Sequence, residues 1–305
     1  MNKKTAIGID LGGTRIKGVL IDEKGNLLSE KERLTLDHQS QPSSDVFTPW
    51  QEGVRQVVDD LKQSAAHTVD AIGLAAPGLP DKNHRCINFM PGRLQGLEGF
   101  VWADFLGEKK LPVINDAQAA LWAETKLGAG KGVENVVLLT LGTGVGGGML
   151  INGRYCEGFL QRAGHLGHFS MDAESEIQGI SNMPGSLEDA IGESTIKRRT
   201  FGRFDTTVDL VNAYEAGDPL AAYFWLNSVR KLAIGIAGIA NMISPECVIL
   251  GGGITRAGNA LFEPLSAFLD IFEWRPNNQA VQIVPAAFSD LAGATGAALY
   301  ALSNA

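Results

Sequence analysis

Cysteine is scarce in this chain. Cys86, Cys156 and Cys247 are the only three among 305 residues; they are odd in number, far apart and without a C-x-x-C spacing. That excludes a disulfide framework and a cysteine-built zinc cage, and it points to a reducing compartment. Positive charge is also in short supply. With 26 Lys and Arg against 34 Asp and Glu the net charge is −8, the wrong sign for a protein that must displace phosphate counterions, so no nucleic-acid partner is expected. No long hydrophobic run occurs. The longest, Leu232 to Ile243, falls short of the ~20 residues that cross a bilayer, and the apolar stretch after Lys3 and Lys4 is cut at Asp10, so neither a membrane segment nor a signal peptide is read. A cytoplasmic protein with small-molecule ligands is expected. A Walker-type G-x-x-x-x-G-K-[ST] loop is missing as well.

What the chain has in excess is glycine. The 37 glycines compare with roughly 21 at average usage, without the G-X-Y period of collagen, and 45 % apolar with 20 % charged content is that of a globular protein. Many of them fall in two similar segments. Thr5 to Leu28 reads as a strand, the turn Asp10-Leu-Gly-Gly-Thr14, a second strand and a reverse turn at Glu23–Asn26. About 130 residues on, Val136 to Leu141, the tip Gly142-Thr-Gly144, Val145 to Ile151 and Asn152-Gly153 repeat the plan. Such a duplication predicts two related lobes whose glycine tips face a shared cleft. Helices are expected over Ala117–Leu127 and Trp225–Ile243, a buried strand over Cys247–Leu250, and loops over Pro42–Trp50 and Asn83–Gly99. Strands alternate with helices, which makes the class α/β.

Backbone N–H groups at Gly12 and Gly13, and again at the Gly142–Gly148 tip, can approach a phosphate closely, and Asp10 can hold a cation or its water shell. An ordinary hairpin turn is the alternative for each segment alone. Gly142-x-Gly144-x-x-Gly147 also fits the dinucleotide fingerprint, but that motif needs a helix after the glycines, and a strand follows. Asp116, between an apolar run and a helix start, is either a helix cap or a general base for a hydroxyl attacking a phosphoryl group. His165 and His168 lack further ligands at metal spacing and read as hydrogen-bonding groups. Ser186-Leu-Glu-Asp189 is a capping box, which offers Glu188 a structural role. Gly251-Gly-Gly253 is either a turn or a flat floor for a base.

Six segments in order resemble the ROK family of sugar kinases and sugar-responsive repressors: Gly8-Ile-Asp10-Leu-Gly-Gly-Thr14 with Lys17, Asn115-Asp-Ala117, Thr140-Leu-Gly-Thr-Gly144, Gly164-x-x-Gly-His168, Gly185-x-Leu-Glu188 and Leu250-Gly-Gly-Gly253. The resemblance implies a two-lobed actin/hexokinase-like fold, a duplicated ribonuclease H-like arrangement with a central cleft. Its first lobe would span residues 1–114, with a helix over 291–305 packing back on it, and its second lobe 115–290. It further implies phosphorylation of a hexose or N-acetylhexosamine by ATP with Mg2+. Asp10, Gly12, Gly13, Thr14 and Lys17 would then serve the phosphates with Thr140, Gly142, Thr143 and Gly144, Asp10 taking the magnesium through water or phosphate. Gly252 and Gly253 would lie at the adenosine. Asp116 would be the base, and Gly78, Asn88, Asn115, His165, His168 and Glu188 would line the sugar. A homodimer is implied too.

Two departures stand out. His165 replaces the family's usual glutamate, and the family's zinc cysteines fall at Gly179, Ser181 and Ser186, so no structural zinc is expected. A catalytically weak sugar-binding protein and a polyphosphate-using glucokinase are the alternatives. The first phosphate segment starts within ten residues of Met1, so the helix-turn-helix that repressor members carry is not expected.

Overall fold

The computed structural model describes residues 4–37, 47–175 and 182–305. In chain order the strands are β1 (Thr5–Leu11), β2 (Arg15–Asp22), β3 (Leu27–Leu34), β4 (Ala71–Ala76), β5 (Leu79–Pro80), β6 (Ile87–Phe89), β7 (Val113–Asn115), β8 (Val136–Leu141), β9 (Val145–Ile151), β10 (Arg154–Tyr155), β11 (Cys247–Gly251) and β12 (Gln282–Pro285). The helices are α1 (Pro49–Ser64), α2 (Trp102–Leu106), α3 (Asp116–Lys126), α4 (Leu187–Ile191), α5 (Ile196–Arg199), α6 (Thr207–Glu215), α7 (Pro219–Ile243), α8 (Asn259–Phe272) and α9 (Ala292–Ser303). None among the described residues is long and apolar enough to cross a membrane.

Two compact units emerge. The first comprises residues 1–131, 157–162 and 287–305, the second 132–156 and 163–286. Their sheets share one plan. In the first, β3-β2-β1-β4-β7, an antiparallel meander is extended by β4 and β7 parallel to β1. In the second, β10-β9-β8-β11-β12, a meander is likewise extended by two parallel strands. Both hairpins expected from the glycine tips are therefore present, and Asn152 and Gly153, at φ 50° and 70°, form the left-handed pair that a tight hairpin turn requires. Asp10 lies within β1, one residue before the strand ends.

The first compact unit runs on to Lys131 and takes in α3, beyond the expected lobe limit of 114. The physical reason is α9. This helix, Ala-Gly-Ala-Thr-Gly-Ala-Ala-Leu in its first turns, packs against β1, β4 and α3, and small residues let backbones approach. A Cβ on Gly8 would sit 1.9 Å from Ala294 O, and one on Gly73, its neighbour on β4, 2.3 Å from Ala297 O. Gly8 is thus a packing glycine rather than part of a phosphate turn. The segment 157–162 joins the first unit as well, with His84 Nε2 3.3 Å from Glu157 Oε1.

The expected loop Pro42–Trp50 ends earlier than its limit, because α1 starts at Pro49 behind a Thr48/Gln51 capping box. Residues 42–46 of that loop lie outside the described residues. Helix α7 begins at Pro219, capped by Asp218, before the expected Trp225. Each unit has its own core. Trp50, Trp102, Ile7, Ile9 and Leu74 are fully buried in the first; Val137, Leu139, Trp225, Leu232 and Val248 are fully buried in the second, where Trp225 Nε1 donates to Ala260 O at 2.7 Å.

Candidate functional site

In the first unit the turn joining β1 to β2 is held by its carbonyls. Thr35 Oγ1 donates to Gly12 O at 2.6 Å, Thr35 N to Thr14 O at 3.0 Å, and Arg93 Nη2 to Gly13 O at 2.8 Å. Gly12 N is spent on Arg15 O, while Gly13 N and Thr14 N have no acceptor among the described residues. A turn with occupied carbonyls and unpaired N–H groups is an anion cradle. Asp10 stands beside it, opposite Lys17 on β2, whose ammonium donates to Asp290 O at 3.3 Å. Burial and the nearby Asp116 carboxylate, against the pull of Lys17, push Asp10 up to about 7.

Asp116 is the first residue of α3, but it is not the cap. Asn115 Oδ1 accepts from Ala117 N at 2.9 Å and Gln118 N at 3.2 Å, which satisfies two of the helix's orphan donors. Asn115 Nδ2 donates to Gly78 O at 3.0 Å, tying the helix start to the β5/β6 hairpin that carries exposed Asn88. The Asn115 carbonyl is therefore consumed locally, and only its amide retains a donor. Asp116 accepts from Ala117 N at 2.8 Å, and burial holds its carboxyl above the usual range despite that bond. A carboxylate of raised basicity at a helix start, with its capping duty taken by a neighbour, is suited to receive a proton.

The second unit repeats the cradle. Gly142 O accepts from Glu193 N at 2.9 Å, Thr143 O from Ser194 N at 2.9 Å, and Gly144 O from Gly142 N at 2.9 Å; Thr143 N and Gly144 N have no acceptor among the described residues. Thr140, one residue before the end of β8, pairs with Gly251 of β11. Gly252, at φ 89°, brings that strand end against the tip: a Cβ there would lie 2.3 Å from Leu141 O, whereas one on Gly253 would meet nothing within 4 Å. The dinucleotide fingerprint is excluded by β9, the strand that follows the glycines.

Glu188 sits beneath this tip. The expected capping box is present, Ser186 with Asp189, so the box leaves Glu188 free of the cap. Glu188 Oε2 accepts from Val145 N at 3.0 Å, and a Cβ on Gly144 would lie 2.2 Å from the same oxygen. Its Oε1 is buried without a partner, as are His165 Nε2 and His168 Nδ1. The two imidazoles stack, centroids 5.9 Å apart and planes at 10°, on a short turn that packs against α4. A buried polar atom without a partner is costly, and three of them lie on two adjacent elements, the turn at 165–168 and α4. Among the described residues no group of three or more His, Cys, Asp or Glu could hold a metal. Of the positions where family cysteines would stand, Gly179 and Ser181 lie outside the described residues, and Ser186 is a helix cap.

His165 has a pH signature of its own. Burial, aided by His168, holds it down from 6.5 to about 4. The unfolded chain therefore takes up this proton first, so stability is complete above the ordinary value and declines as pH falls from 6.5 towards 4. Between about pH 7 and pH 5 the loss from this group is roughly 2 kcal/mol. His165→Gln is expected to lose correspondingly less unfolding free energy in urea over that interval; equal slopes for variant and parent would show that the ring is solvated.

Arg93, like Thr35, is a residue at the first turn that sequence reasoning missed. It lies in a stretch expected to be a loop, and no spacing rule links position 93 to position 13.

The family model of the ROK family matches residues 6–304. The glucokinase of Streptomyces coelicolor is 29 % identical over 320 residues, covering 96 % of this chain and 96 % of its own. The N-acetylmannosamine kinase of Salmonella typhi is 29 % identical over 303 residues, covering 97 % and 98 %. The crystal structure of a ROK family glucokinase from Streptomyces griseus in complex with glucose and AMPPNP matches with a TM-score of 0.77 at 27 % identity, over 98 % of this chain and 99 % of that one. The α/β fold is thus of the actin/hexokinase-like type.

Proposed function

The chain belongs to the ROK family, and from that premise we propose that it transfers a phosphoryl group from ATP to a hydroxyl of a hexose or N-acetylhexosamine, with Asp116 as general base. The observation that carries this reading is the state of Asp116: a carboxyl of raised basicity at the start of α3, where Asn115 performs the capping. Relatives named glucokinase and N-acetylmannosamine kinase support a sugar kinase over a mere sugar-binding protein. Glucose together with AMPPNP, an imido analogue of ATP, in the Streptomyces griseus structure supports the donor.

The chain's own residues divide the work. Gly13, Thr14 and Lys17 in the first unit, and Thr140, Thr143 and Gly144 in the second, serve the donor phosphates through N–H, hydroxyl and ammonium donors, while Gly12 and Gly142, whose N–H groups are spent on Arg15 O and Gly144 O, close the two turns around them. Gly252 and Gly253 serve the adenosine. Glu188, His165 and His168 bind sugar hydroxyls with their unpaired atoms, aided by Asn88, Gly78 and the remaining Asn115 donor. Neutral His165 offers one donor and one acceptor where a carboxylate offers acceptors alone, so it selects among hydroxyl patterns. Asp116 takes the hydroxyl proton as the oxygen attacks phosphorus.

Magnesium fits these residues. Asp10 carries a proton near neutrality because burial and Asp116 oppose its ionisation, a cost that a divalent cation would offset, and Mg2+ is usually held by one or two carboxylates with water and phosphate. Asp10 would hold it, and when bound the ion supplies charge neutralisation on the phosphates. No structural zinc is part of this reading, since Gly179, Ser181 and Ser186 offer no thiolate. A cytoplasmic homodimer is.

ADP release measured against a panel of hexoses and N-acetylhexosamines tests the activity. At least one sugar is expected to raise turnover well above the ATP blank. Calorimetric sugar binding with no stimulation by any sugar would make the chain a binding protein instead.

A further inference from the structure

We infer that Arg93 is a positioning residue for the donor phosphates, acting through the Gly13–Thr14 peptide; the inference rests on the reading of Gly12–Thr14 as a phosphate turn. A trans peptide points its carbonyl and its N–H in opposite directions. Arg93 Nη2 donates to Gly13 O at 2.8 Å, and so fixes the plane whose other edge is the unpaired Thr14 N–H. Thr35 does the same one peptide earlier, its hydroxyl on Gly12 O leaving Gly13 N–H on the far edge. Without these two side chains the turn's peptides could rotate, and the N–H groups would no longer converge on an anion.

Arg93 is itself held for this task. Leu94, next in sequence, is buried at 1 % exposure with φ 51°, and its N–H donates to Asp37 Oδ1 at 3.0 Å. The other carboxylate oxygen of Asp37 lies 3.6 Å from Arg93 Nε. The guanidinium is thus anchored through its backbone neighbour and through its own Nε. It also accounts for the residue type at 13. A Cβ on Gly13 would fall 2.3 Å from Nη2 and 2.4 Å from Cζ of Arg93, so a side chain there would evict the arginine from the carbonyl. Gly13 makes room for Arg93 as well as for a ligand.

The test uses the full chain with Arg93→Ala, Arg93→Lys, Gly13→Ala and the Gly13→Ala/Arg93→Ala double variant. Steady-state kinetics in ATP and in sugar are read together with ATP binding by calorimetry in the presence of Mg2+. A lost charged hydrogen bond corresponds to about a ten-fold change. Arg93→Ala is expected to raise KM and Kd for ATP about ten-fold, with sugar KM within about two-fold of the parent. Arg93→Lys, which keeps a cation able to reach the carbonyl, should recover most of that loss. Gly13→Ala should resemble Arg93→Ala, and the double variant should be no worse than Gly13→Ala, because both changes break one contact. An ATP Kd unchanged in Arg93→Ala, or ATP and sugar constants rising together with a lowered Tm, would overturn the positioning role. If the parent binds ATP but phosphorylates no sugar, the kinase reading has failed while the calorimetric comparison still decides the role of Arg93. A parent that binds no ATP overturns both.

Discussion

Replacing Asp116 by asparagine is expected to lower kcat by about 10² to 10⁴ while sugar affinity stays close to that of the parent. The amide has nearly the same shape and still has an oxygen to accept the Ala117 N–H bond, so the start of α3 should persist. Its N-terminal donors are in any case satisfied by Asn115. What asparagine cannot do is take a proton. Removing the charge also relieves Asp10, whose carboxyl is pushed up to about 7 in part by Asp116, so the variant should be at least as stable as the parent and Asp10 should ionise at lower pH. The pattern to look for is therefore a rate collapse without loss of sugar binding or of Tm. Single-turnover ADP release and sugar calorimetry on the same preparation separate these quantities. Near-normal turnover would remove Asp116 from the chemistry and leave it as a spectator beside the cap.

Local rules carried the reading furthest where the chain's conformation is decided locally. The Asn152-Gly153 turn, the Ser186/Asp189 box and the two strands β8 and β9 on either side of the glycine tip depend on neighbours within a few residues, and each is where its pattern put it. The start of α1 was equally accessible: Thr48, Pro49 and Gln51 form a cap signal that the surrounding turn residues obscured. Helix α9 is a different case. It is apolar on every side because it packs against β1, β4 and α3, so it shows no 3.6-residue stripe, and its place came only from the family resemblance. The placing of α3 in the first compact unit was hidden for the same reason, since α3 packs on α9, far along the chain. At the site, residue types were legible and partners were not. Asn115 and Asp116 were both visible, yet which of them caps depends on backbone angles; Asn115 has the extended φ of −66° and ψ of 145° that a cap needs. Arg93 and Thr35 reach the first glycine turn from distant positions, and only the fold supplies them.

Gly8→Ala should be among the most destabilising single substitutions in the first unit, although Ala differs from Gly by one methyl and favours ordered structure elsewhere. The methyl would lie 1.9 Å from Ala294 O, 2.6 Å from Ala298 N and 2.9 Å from Ala294 C. All three are backbone atoms of α9, so no flexible side chain can move aside, and the helix must shift from the sheet. Overpacking of this kind costs about 3 kcal/mol or more, readable as a fall in urea midpoint at constant m. The consequence reaches the site, because residues two apart on a strand share a face. Gly8 and Asp10 both look towards α9, and a Cβ on Gly293 at the start of that helix would lie 2.6 Å from Asp10 Oδ2. Lifting α9 opens the wall that keeps Asp10 out of water, so the Asp10 carboxyl should ionise at lower pH in whatever fraction of the variant remains folded. Gly253→Ala is the control. Its methyl would meet nothing within 4 Å, so stability should change by less than about 0.5 kcal/mol while ATP affinity responds. Were Gly8→Ala as stable as Gly253→Ala, α9 would not be seated on β1 as described, and Asp10 would have to owe its raised pKa to Asp116 rather than to burial.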